Sequence, residues 1–143
     1  MFFLMRLGIS KNIAPFNFTP SAAMVIKLGL EPKPLALIVH LLYGALGSVI
    51  LIEIYKTASS LKSGLIIAFV MWLIFMVVYS PILGWGFFGF GNASSLATDS
   101  PLYLAPGPKF MLITLVLHII YGIIIGLLDQ WIVTEHIKEP QLT

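Results

Sequence analysis

Three long apolar runs, separated by short polar or Pro- and Gly-rich stretches, lay out the chain. The first lies over 34–56. It carries no charge from 34 to 52, and at about 1.5 Å per residue that stretch covers roughly 28 Å, close to a bilayer's ~30 Å hydrocarbon core. Glu53, Tyr55 and Lys56 mark its far interface, and a polar link over 57–62 turns the chain back. A second charge-free stretch predicts a spanning helix over 63–83, bent or ended by Pro81. The third spans 110–132 and is closed by Asp129 and Trp131.

The remaining stretches are shorter. Pro15 and Pro20 break residues 1–30 into pieces below the roughly 20 apolar residues that a span needs. Thr19 or Ser21 caps a short helix that stops at Gly29. Residues 84–109 form an aromatic and glycine-rich exit followed by a polar loop, and 133–143 a charged tail. The predicted fold is an all-α integral membrane protein in one domain, 1–143. It has three spanning helices plus an N-terminal interfacial, re-entrant or partial fourth helix.

Composition removes the soluble alternatives. A chain that is 59% hydrophobic and 10% charged has too little polar surface to cover a soluble globule. Its net charge of +2 is scattered rather than gathered with aromatics, so no nucleic acid is expected as a partner. Zero cysteines exclude disulfides, thiolate zinc and Fe–S clusters. Arg6 follows the apolar opening and no small-residue cleavage site succeeds it, unlike a secretory signal.

Within the first and third runs one pattern occurs twice. His40-x-x-Tyr43-Gly44-x-x-x-Ser48 aligns with His118-x-x-Tyr121-Gly122-x-x-x-Gly126. One span separates the copies, so both cross in the same direction, a parallel internal repeat with its histidines at nearly equal depth. Helical spacing puts His40, Gly44, Gly47 and Leu51 on one face, and His118, Gly122, Ile125 and Asp129 on the other copy's face. Small residues at Gly44, Gly47, Ser48, Gly122 and Gly126 favour close helix packing, either of the two copies on each other or on another subunit.

Candidate chemistry is sparse. Two histidines at equal depth offer both axial ligands for a haem b, although each glycine one turn on is what packing alone requires. Asp129 stands too far along its helix to complete a metal set, so no metal is expected, and each histidine is expected to bond to Trp72 or a nearby Tyr. Asp129 itself is a candidate proton or ion site. Gly84-x-Gly86-x-x-Gly89 matches a dinucleotide fingerprint in letters only, since it follows a membrane helix and no βαβ unit surrounds it. No nucleophile or acid–base pair sits at membrane depth, so no catalytic residue is assigned.

Orientation signals conflict. Lysines number four on the side where the repeat helices begin and three on the other, which leans that first side inward. The sequons Asn17-Phe18-Thr19 and Asn92-Ala93-Ser94 both fall on that same side and place it, with 84–109, outside. We take the side of 84–109 as extracytoplasmic in a plasma membrane.

The short helix ending Leu28-Gly29-Leu30, the two His-x-x-Tyr-Gly motifs, Trp72, and Pro81-x-x-Gly84-x-Gly86-x-x-Gly89 resemble small archaeal-type multi-pass membrane proteins of unknown function, YagU-like in character. The resemblance covers roughly 18–128 and implies a fold but no activity. It also implies a first membrane helix, of which Met1 to Leu7 resembles the end. The expected function is a non-catalytic accessory or scaffolding subunit of a prokaryotic membrane complex, respiratory or redox, of the haem-copper oxidase or copper monooxygenase kind. Its partners are other membrane subunits and the lipid bilayer. The alternatives are a haem b electron carrier on His40 and His118 and a stand-alone transporter or channel.

Overall fold

The computed structural model describes residues 1–56 and 59–138, with backbone alone for 133–138. Thr57 and Ala58 of the polar link, and 139–143 of the tail, lie outside the described residues. The elements in order are α1 (Phe2–Ser10), α2 (Pro20–Lys27), α3 (Leu35–Tyr55), α4 (Leu61–Leu83) and α5 (Lys109–Lys138). Among the described residues there is no strand, only an isolated antiparallel bridge between Phe16 and Leu104. Three helices are long and apolar enough to cross a membrane, Leu35–Tyr55, Leu61–Leu83 and Lys109–Ile132, as in a multi-pass membrane protein.

Local chemistry sets the helix ends. A capping box starts α4 two residues before the expected boundary: Ser63 N–H donates to Ser60 Oγ at 3.3 Å and Ser60 N–H donates to Ser63 Oγ at 2.7 Å. Pro81 neither ends α4 nor breaks it. Residues Phe75–Tyr79 widen into a π turn in which Ser80 N–H donates to Phe75 O, which accommodates a proline that has no N–H and crowds the preceding turn. The helix ends at Gly84, whose φ of 88° places it in the left-handed region, with Trp85 N–H donating to Ser80 O and Gly84 N–H to Pro81 O. The third span, Lys109–Ile132, meets the expected 110–132, but its helix continues. α5 runs on to Lys138, because no glycine or proline interrupts the sequence there.

The closest helix pair is α4 with α5. Gly64 faces Gly122 and Gly126, and Ser60, Leu61, Leu65 and Ala68 complete the contact. Three glycines let the two backbones touch, which is how helices attract one another where lipid is as apolar as leucine. α3 stands more to the side, with 17% of its span buried against 39% for α4.

The segment between α4 and α5 is packed against one end of the bundle. Trp85 is fully buried, donates from Nε1 to Leu102 O at 2.9 Å, stacks on Phe16 and meets Phe110 edge-on at 5.1 Å between ring centroids. Gly86 and Gly91 allow the fold-back around it, since a side chain on Gly86 would stand 2.5 Å from Gly91 N. The stretch before α2 joins this cap: Ala105 N–H donates to Pro15 O at 2.7 Å, and Asn17 Nδ2 donates to Thr98 O and Ser100 O. Both sequons therefore lie at the same end of the bundle. α2 begins at Pro20 with Thr19 as its cap, buries Ala22, Ala23 and Val25, and is pinned to α4 by Tyr79 OH donating to Pro20 O and by Lys27 Nζ donating to Ile82 O.

Candidate functional site

The two His-x-x-Tyr-Gly motifs are brought together, and each tyrosine reaches away from its own copy. Tyr43 OH donates to Met71 O on α4 at 3.0 Å and stands 3.5 Å from His118 Nε2. Tyr121 OH donates to Gly44 O on α3, with Ser48 beside it. The tyrosines thus tie α3 to its neighbours, a role that an intramembrane hydroxyl fills because it has no water to bond.

The glycines divide by partner. Gly122 and Gly126 lie on α4, against Ala68, Gly64, Leu61 and Ser60, rather than on the glycines of α3 or on an outer face. Gly47 fits against the Met71 side chain and the Tyr121 hydroxyl. Gly44 has only the Tyr121 ring, at 3.8 Å from where a side chain would begin. The central partner, Gly64, was not singled out in the sequence because it lies outside the repeat. Its signal is Gly64-x-x-x-Ala68, the same small-residue spacing on the middle span.

Trp72 does not bond to a histidine. Its Nε1 donates to Thr114 Oγ1 at 3.2 Å, and Thr114 in turn donates to Phe110 O at 2.8 Å. His118 Nδ1 lies 2.8 Å from Thr114 O. A carbonyl oxygen only accepts, so Nδ1 carries the proton and Nε2 presents its lone pair. The single Tyr43 proton has the nearer acceptor in Met71 O, so at the Nε2 lone pair Tyr43 makes only a contact of 3.5 Å, the limit of a hydrogen bond. His40 makes no hydrogen bond among the described residues, its ring contact being with Phe2 at 5.5 Å between centroids.

Both histidines line a cavity of about 100 Å³ that also touches Met5, Phe75, Tyr79 and Leu117. An adjoining lobe of about 50 Å³ shares His40, His118, Tyr43 and Met5. Among the described residues no three His, Cys, Asp or Glu side chains gather as a metal site.

Asp129 is 6% exposed, and its Oδ2 has no hydrogen-bond partner. Ser59 Oγ is the other buried oxygen without one. In the lipid range an unpartnered oxygen is costly.

Compared with protein-family models, curated proteins and solved structures, the chain matches none.

Proposed function

We propose that this chain is a non-catalytic accessory subunit of a multi-subunit prokaryotic membrane complex, of a respiratory or other redox kind. The observation that carries the reading is the lopsided bundle. α4 and α5 close on each other through glycine, whereas α3 packs on α2 and is tied to α4 and α5 by two tyrosine hydroxyls and by Gly47 against Met71. The outward side of α3 presents Leu41, Leu42, Ala45, Leu46 and Val49, all exposed, with small Ala45 at its centre. A span that buries so little of itself suits a neighbouring helix as well as it suits lipid. Polar side chains at depth also serve as ties between helices, among them Trp72, Thr114, Tyr43 and Tyr121.

The test is purification of the tagged chain in mild detergent, native electrophoresis, and mass spectrometry of the band. The reading expects stoichiometric larger membrane subunits that are lost when Ala45→Trp roughens α3. A band holding this chain alone, or co-migration that Ala45→Trp leaves intact, overturns it. One observation favours a second reading: the unpartnered Oδ2 of Asp129 suits a proton or cation site in a small transporter. That reading expects Asp129→Asn to abolish flux in liposomes while assembly is unchanged.

A further inference from the structure

We propose that the cavity between α1, α3 and α5 is a binding site for monovalent copper, with His40, His118 and the Met5 thioether as its ligands. Its donors come from three separate elements, Met5 on α1, His40 on α3 and His118 on α5, and all three side chains line both lobes of the cavity. The Nε2 lone pair of His118 is fixed by the bond from Nδ1 to Thr114 O, and its neighbour Tyr43 OH stands at 3.5 Å with its proton directed to Met71 O. His40 has both ring nitrogens free of hydrogen bonds among the described residues.

The other polar atoms around the cavity already have partners. Tyr79 OH donates to Pro20 O, Thr114 Oγ1 to Phe110 O, and Ser21 Oγ is within 3.4 Å of Thr19 Oγ1. What is left over is a set of soft and borderline donors, the two imidazoles and the Met5 thioether. No carboxylate lines either lobe.

Charge and softness then choose the ion. The cost of bringing an ion out of water grows as the square of its charge, so without a carboxylate a monocation costs about a quarter of what a dication does. Thioether sulfur selects Cu(I) over the harder divalent metals, and imidazole suits it. The volume agrees, since about 100 Å³ between these side chains leaves room for a bare ion. A hydrogen bond from the second ring nitrogen to a backbone carbonyl, as His118 makes to Thr114, is the usual way a ligating histidine is oriented.

The experiment uses the isolated full chain in detergent, so it does not depend on any assembly. Cu(I) is titrated anaerobically against a chromophoric Cu(I) chelator, and copper X-ray absorption is recorded on the loaded protein. The expected result is one Cu(I) per chain with both nitrogen and sulfur scattering. His40→Ala and His118→Ala should each weaken binding at least tenfold, and Asp129→Asn should leave it unchanged. Met5→Leu, which conserves volume, should lose the sulfur contribution while the thermal transition stays in place. The proposal is overturned if no copper is retained, if binding is the same in the histidine variants, if wild type shows no sulfur, or if Zn(II) binds as tightly. Should a histidine variant fail to fold, Met5→Leu and the wild-type spectrum still decide.

Discussion

Gly64 is where the contact between α4 and α5 is least forgiving. A methyl at that position would stand 2.4 Å from the carbonyl oxygen of Gly122, 2.6 Å from Gly126 Cα and 2.7 Å from Gly126 N. All three are backbone atoms and cannot rotate aside. Ordinary contact begins near 3.4 Å, so Gly64→Ala must part the helices by about 1 Å. A gap of that size forfeits up to half of each dispersion contact it opens, and overpacking of this kind costs about 3 kcal/mol. Alanine's better helix propensity returns about 1 kcal/mol. The net loss is about 2 kcal/mol, roughly thirtyfold in the folding equilibrium. Gly44→Ala is the matched control, because its nearest neighbour, the Tyr121 ring, lies at 3.8 Å. It should be neutral or more stable by up to about 1 kcal/mol. The assay is reversible unfolding in mixed micelles under SDS titration, followed by tryptophan fluorescence. A Gly64→Ala protein as stable as wild type, or less impaired than Gly44→Ala, refutes the packing argument.

Three further outcomes follow from the polar ties and the cap. A double-mutant cycle on Trp72→Phe and Thr114→Val should give a coupling of about 0.6–1.7 kcal/mol, the range measured for hydrogen bonds between membrane helices, and zero coupling would remove the bond from the account. Trp85→Ala empties the fully buried centre of the cap and should cost about 3–5 kcal/mol, read as lower thermal stability with faster proteolysis within 92–105; cleavage at the wild-type rate would contradict it. Asp129→Leu, close in volume, removes a buried oxygen that has no partner and should raise stability by about 1–3 kcal/mol, and a destabilised variant would show that the carboxyl has a partner.

The spans were legible because charge-free runs of bilayer length leave few alternatives, and their ends fall within a few residues of the sequence pattern, although the helix of the third continues to Lys138. The π turn was not legible, since Pro81 signals a disturbance but not whether the chain widens, bends or stops. His40, His118 and the tyrosines stood out through repetition, yet repetition pointed the copies at each other and away from Gly64, which has no counterpart in them. In the sequence the third donor that stands out is Asp129, a carboxylate on a histidine helix but too far along it. Met5 approaches from another element, and only the fold places a thioether beside two imidazoles.

The tie between the start of the chain and the α4–α5 segment bears on how the protein is made. Asn17 bonds to Ser100, 83 residues later in the sequence. At a synthesis rate of about 5–20 residues per second, the amino-terminal stretch waits roughly 4–17 s before its partner exists. During that interval Phe16 and Asn17 have no binding site, and two helices must enter the membrane first. The cap thus cannot close until the first two spans have been made, and its closure precedes the packing of α5, whose residues are synthesised later still.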